Sequence, residues 1–428
     1  MDGVLPLTDA LTRRLSILAW LIAATACDRP PDTDTALPGG VSFLERDSAG
    51  IVVATTLGTR ARAPVGWVVD TVPEYQIGEV GGEDPNLFSR IEGVQQLSDG
   101  RVVVLDRANC ELRFFGRDGV FLEHKGGRGE GPGEFRPNSS CDLEPSPGND
   151  SLYVHSLRVR STVSFFDSHG RFSHRVRGSW DGQDLWRVHG VAGGRFLGEN
   201  RRIPLFNQNP AARTVGMAPE PAMVYYALFD ADTGIPVWEG SFQGAHEYRR
   251  PSSKVYYLPF DIWPAAVLGR NGLFLTLGEN RGPEILEYDM SGSLRRIIRL
   301  AEPVVEPSRE DIDKLVEFRL SHMTSPRREL ATDIQLGAYA VMPLPEIMPA
   351  FSRLLVDEVG WLWAELYRFD VRAPVTWLVF GPNGQGFGSV DMPPDLDIRQ
   401  IGRDFVLGVW HDELEVEYVR RHALIGRG

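Results

Sequence analysis

The feature that most limits what this chain can fold into is a strand–turn–strand unit that recurs along it. Its clearest copy runs RVVVLD (101–106), ELRFFG (111–116), the turn Arg117-Asp118-Gly119, and then VFLEHKG. The next copy keeps the order: SLYVHS (151–156), then TVSFFDSHGRFSHRV (162–176), which sets FFDSHG over FFGRDG. Four more follow: GGRFLGEN (193–200) with VYYALFDADTGIPVWEGSF (224–242); NGLFLTLGEN (271–280) with EILEYDMSGSLRRIIRL (284–300); VGWLWAELY (359–367) with TWLVFGPNGQGFGSVDM (376–392); and IRQIGRDFVLGVWHDELEVEYVRRHAL (398–424). Short β-rich runs bounded by Gly and Asp turns read as antiparallel hairpins. A single meander cannot bury both faces of its sheet, so neighbours must stack, and radial stacking gives a propeller. The expectation is an all-β, six-bladed β-propeller with four-stranded antiparallel blades. The sixth unit supplies only three clear strands, and an early strand at 74–77 has no partner. Pairing the two would close the ring and hide both sheet edges.

Between the first two units lies GGRGEGPGEF (126–135), with a weaker copy, IGEVGGEDPNLF, at 77–88. The glycines invite a phosphate-loop reading. It fails, because the segment lacks the Lys-Ser/Thr ending and leads into a strand rather than a helix N-terminus. Its expected role is conformational: glycines cross between blades at positive φ, Pro132 stiffens the crossing, and Phe135 plugs between sheets. The abundance of Gly (45) and Pro (30) fits many short strands joined by tight turns. A GxGxGPGEF link after an FFxxxG turn resembles the NHL-type six-bladed propellers, especially bacterial propeller lipoproteins of unassigned function. The lead-in ERDSAGIVV (45–53) fits some of these, and the resemblance spans about residues 45–424. That family carries no catalytic residues to transfer.

The N-terminus reads as an address. Arg13 and Arg14 precede the apolar run LSILAWLIAA (15–24), then Thr25-Ala26-Cys27. A basic stretch, a short apolar stretch and small residues before a cut site describe a secretory signal at 1–26, too short to span a bilayer. The small residues before Cys27 resemble a bacterial lipobox, although Ala24 stands where Leu is favoured. The resemblance implies cleavage before Cys27 and its acylation. Residues 27–44 are then a lipid-anchored, Pro-rich tether, and 45–428 a single propeller domain with insertions at 201–223 and 303–345. The second insertion carries a helix signal near 308–322. Ser308 and Asp311 resemble a capping box, and Ile312, Leu315, Val316 and Leu320 share one face. Such a helix either packs on the rim or forms a lid over the central funnel.

A net charge of -13, with no Lys/Arg run longer than two, argues against a phosphate-backbone binder, so no nucleic-acid partner is expected. The chain has no HExxH, CxxC, GxSxG or Walker motif, and its nine His lack ligand spacing; no metal, cofactor or catalytic residue is assigned. Cys110 and Cys141 fall at blade positions that open on the same face. A disulfide is geometrically possible there in an oxidising compartment, and two buried thiols are the other reading. The candidate site is a ring of residues following the second strand of each blade: Arg107 and Asn109, Arg158, Glu199-Asn200-Arg201, Glu279-Asn280-Arg281, Arg368, and His411. Arginines and amides beside aromatics are what a polar ligand pocket needs. The function expected is non-catalytic binding or scaffolding of a protein, peptide or glycan by an exported chain that meets the membrane only through its lipid. The alternative is a calcium-dependent hydrolase or lactonase, with Glu199, Asn200, Glu279, Asn280 and Glu365 imitating a ligand set.

Overall fold

A computed structural model describes residues 42–81, 84–136, 140–144, 146, 150–157, 161–180, 183–202, 216–217, 221–249, 255–261, 263–270, 272–276, 282–321, 337–370 and 372–427. The signal stretch, Cys27 and the greater part of the 27–44 tether lie outside these residues, as do Arg158, Glu279, Asn280 and Arg281. All the described residues belong to one compact unit, Ala36–Gly428.

Six four-stranded antiparallel sheets form the ring. Blade one runs Ile91–Gln96, Val102–Asp106, Glu111–Phe115 and Phe121–Gly126. Blade two runs Ser140–Glu144, Leu152–Leu157, Thr162–Phe166 and Phe172–Arg177. Blade three runs Arg187–Ala192, Arg195–Arg202, Met223–Asp230 and Pro236–Gln243. Blade four runs Ala266–Leu268, Leu273–Thr276, Glu284–Tyr288 and Leu294–Ala301. Blade five runs Phe351–Val356, Leu362–Leu366, Val375–Phe380 and Gly386–Met392. Blade six takes Leu396–Ile401, Phe405–His411 and Glu417–Ile425 from the C-terminal end, and Tyr75–Ile77 pairs with its last strand. A second early segment, Val68–Val69, pairs further along that strand. The first strand of each blade touches the first strands of both neighbours, so these six strands line the centre.

The core is divided as the stacking argument requires. A separate apolar cluster fills each of the six blade–blade interfaces. Between blades one and two, Leu105, Leu112 and Phe114 meet Leu143, Val154 and Phe166. Phe135 lies in the same cluster, 1% exposed, delivered by the glycine-rich link. Gly133 of that link sits at φ 79°, with Phe172 and Phe166 so close that a Cβ would crowd both. The FFxxxG turns work through their last glycine: Gly119 and Gly170 adopt φ of 78° and 69°, as tight hairpins demand. Cys110 and Cys141 are joined by a disulfide across the interface of blades one and two, with Cα atoms 5.9 Å apart.

Two features extend the ring. A hairpin, Phe43–Ser48 with Ile51–Leu57, lies along the outer edge of blade four, its second strand parallel to Leu294–Ala301. The second feature is a helix, Asp311–Ser321, whose buried residues are Ile312, Leu315, Val316 and Leu320, the four that share a face in the sequence. The Asp311 carboxylate accepts from the backbone N–H and hydroxyl of Ser308, at 3.0 and 2.7 Å. The helix packs on Leu258, Phe260, Tyr339 and Met342 in a seventh apolar cluster apart from the blades. No helix among the described residues is long and apolar enough to cross a membrane.

Candidate binding site

An antiparallel first strand presents alternate side chains toward the centre of the ring. In this chain many of those side chains are charged. Blade three contributes Arg187 and His189, blade five Arg353, blade six Arg399, and blade two Glu144. They border a cavity of about 710 Å³, which also takes Glu199 and Arg201 from the second strand of blade three. The helix side chain of Arg319 and the ring of Tyr339 lie against the same cavity, so described parts of the second insertion reach it as well as packing in their own apolar cluster. Tyr257 and Trp263, edge to face at 5.4 Å, add an aromatic wall.

Most of the arginines are already answered. Arg201 reaches Glu199 through Nε and lies 4.4 Å from the Trp263 ring centroid. His189 Nε2 is 2.5 Å from the other Glu199 oxygen. Burial alone would raise the Glu199 carboxyl; His189 and Arg201 overcome it and hold the group down at about 2. Arg353 donates to Asp397 at 2.7 Å and rests on the Trp377 ring, and Arg399 pairs with Asp397 at 2.8 Å. Arg187 faces Glu144 at 3.7 Å, and that carboxylate raises its already high pKa. Arg319 differs: it donates to the Tyr339 hydroxyl and has no carboxylate partner among the described residues. Burial lowers its pKa.

Of the residues expected to line a polar mouth, Glu199 and Arg201 meet in this cavity. Asn200, one position between them, points the other way and faces Gln183. Arg107 is held by Glu92 at 2.6 Å, while Asn109 is solvent-exposed beyond it. Arg368 lies over the Phe318 ring and donates to the Ala373 carbonyl; His411 pairs with Glu417 at 3.2 Å. Of these recurring arginines, Arg201 borders the cavity while Arg107 and Arg368 do not, and Arg158 and Arg281 lie outside the described residues. The other arginines that border it, Arg187, Arg353, Arg399 and Arg319, sit on first strands and on the helix. Charge alternating along a first strand, as in Arg187 and His189, was the available signal. Arg319 had none, because nothing in a helix pattern tells which polar face looks into a channel. Glu365, from the calcium alternative, pairs with Arg353 at 3.2 Å, and Glu199 is saturated by His189 and Arg201.

Beside the cavity, a second cluster forms on blade two. Asp142 and Glu144 are two residues apart on the first strand, hence on one face. His155 sits opposite Asp142 in the register of the second strand. Burial and the adjacent Glu144 push the Asp142 carboxyl up, against the pull of Arg187 and Arg399. Burial pushes His155 down to about 4, which leaves its ring neutral near pH 7.

No protein-family model matches the chain, and no curated protein matches it by sequence. Solved structures do resemble it. A Bacteroides fragilis protein described as exported has 14% identity and a TM-score of 0.43, with 87% of this chain and 100% of that one covered. A member of the DUF4221 family from Bacteroides vulgatus has 11% identity and a TM-score of 0.40, covering 84% and 98%. A protein of unknown function from Bacteroides caccae has 10% identity and a TM-score of 0.35, covering 76% and 93%.

Proposed function

We propose that this protein is an exported, lipid-anchored binding propeller whose capped cavity receives the end of an acidic glycan. The observation that carries the reading is Arg319, a partly buried cation without a carboxylate partner among the described residues, aimed into a cavity with an aromatic wall. A buried guanidinium gains most from a planar anion that accepts two of its N–H groups, as a uronate carboxylate does. The faces of Trp263 and Tyr257 suit the apolar side of a sugar ring. The cavity's volume lies in the range that encloses small ligands, and a roof of helix and loop favours a chain end over a folded protein surface. Export and lipid attachment rest on the Arg13–Cys27 stretch alone.

Titration calorimetry of the purified protein with a uronate oligosaccharide and with its neutral counterpart tests the ligand. Preference for the acidic sugar should fall at least about tenfold in Arg319→Met, which keeps the side-chain length but loses a charge-assisted contact. Equal affinity for acidic and neutral sugars, or an unchanged preference in the variant, would remove the proposal. For the anchor, Cys27→Ser should move the protein from the membrane fraction to the soluble fraction, with loss of the acylated N-terminal peptide in mass spectra. Retention in the membrane would count against lipidation.

A further inference from the structure

We propose that Asp142, Glu144 and His155 form a binding site for a divalent first-row transition metal beside the central cavity. The argument starts from strand geometry. Asp142 and Glu144 share a face because side chains alternate along a strand, and His155 joins them because directly paired cross-strand residues project to the same side. One donor atom from each lies within 4.8 Å of the others. His155 Nε2 is 3.7 Å from Asp142 Oδ2. Donors around a shared ion at ~2.1 Å stand roughly 3–4 Å apart, so rotamer adjustments of about an ångström complete the set.

The second observation is independent of the carboxylates. His155 is 1% exposed, and neither of its ring nitrogens has a hydrogen-bond partner among the described residues. A buried polar group without a partner carries its full desolvation penalty, so such groups are kept where something else satisfies them. The carboxylates are under-used as well: among the described residues neither accepts a hydrogen bond, and the Arg187–Glu144 contact at 3.7 Å is too long for one. An ion on His155 would satisfy one orphaned nitrogen and both carboxylates at once.

Ligand type selects the ion. Calcium and magnesium take oxygen donors, whereas imidazole suits zinc, iron, nickel and copper. One imidazole with two carboxylates therefore favours zinc or its transition-series neighbours over calcium. Three protein ligands leave a position open. Glu144 also borders the central cavity, so that position faces the space in which a ligand would sit. The site stands whether or not the cavity binds an acidic glycan.

The test is calorimetric titration of chelator-treated, desalted protein with Zn²⁺, Mn²⁺ and Ca²⁺ separately. Expected is one Zn²⁺ or Mn²⁺ per chain, with a raised melting temperature, and affinity at least tenfold weaker in His155→Gln and Asp142→Asn. His124→Gln, at an exposed histidine elsewhere, should leave affinity unchanged. Should the buried variants fail to fold, zinc-edge X-ray absorption on the wild type reads the same point: one imidazole in the coordination shell supports the site. No saturable transition-metal binding, binding indifferent to His155 and Asp142, preference for Ca²⁺, or a shell without imidazole would each overturn it.

Discussion

Glu199 shows how much a single buried carboxylate can couple this fold to pH. Its side chain is 2% exposed, and it is ionised only because His189 and Arg201 attend it. A carboxyl near 4.5 when unfolded and about 2 when folded contributes on the order of 3 kcal/mol. That stability is present in full above about pH 4.5 and is lost as pH falls toward 2. Urea midpoints measured across this interval should drop more steeply for the wild type than for Glu199→Gln. The variant should also be less stable at pH 7 by a few kcal/mol, since it leaves His189 and Arg201 without their anion. A wild type and variant with parallel acid profiles would show that Glu199 does not set the slope. At this scale the sequence was only partly legible. Glu199 and Arg201 sit toward the end of a strand whose earlier part is mainly apolar, so the change in polarity can be read directly. Arg187, Arg353 and Arg399 are just as near the ligand space, but each is one charge within a strand. Only the ring closure tells which strands face inward.

Elements were more legible than residues because local patterns determine them. The helix Asp311–Ser321 has its cap and its buried face written in four-residue spacing. The disulfide is the element-scale lock between blades one and two. It closes a separation of 31 residues, for which chain-entropy arguments give about 3–4 kcal/mol. Cys110→Ala with Cys141→Ala should lower the urea midpoint accordingly and increase proteolysis in the glycine-rich link between them. A midpoint that survives reduction unchanged would mean the flanking apolar cluster suffices. The N-terminal hairpin was the part that could not be foreseen. The run IVVATTL (51–57) is β-rich, but nothing in a strand names its partner when the pairing is parallel and spans more than 200 positions. A chain starting at residue 59 should keep the closed ring, because 68–77 remains. It should also expose the Leu294–Ala301 edge and aggregate at concentrations the longer chain tolerates. Light scattering on the two forms decides this.

For the whole molecule, closure depends on the two ends of the chain meeting. Arg427 places a guanidinium 2.6 Å from Asp357, a carboxylate with no exposed side-chain area, and lies over the rings of Trp67 and Trp361. Asp357 also accepts from the Trp363 indole at 2.7 Å. One cation thus ties the C-terminus to blade five and to the segment that precedes the closing strand. Arg427→Ala leaves a buried anion held only by the neutral donors of Val359, Trp361 and Trp363, and should cost about 3–5 kcal/mol, read as an earlier denaturant midpoint. A shift below about 0.5 kcal/mol, ordinary for a surface change, would show that the pair is dispensable. The six-fold architecture itself was legible, since repeated FFxxxG turns and a missing strand in the last unit leave little choice. There is also a temporal consequence. Val69 pairs with Leu424, and Ile77 with Val419, so the ring cannot close until the strand at 417–425 has been made. Early-emerging segments must wait, unpaired, for partners made hundreds of residues later. High contact order of this kind slows folding. On the export route proposed above, N-terminus first, the edge strands would stay bare through the whole of transit, when a chaperone on the far side of the membrane would matter most.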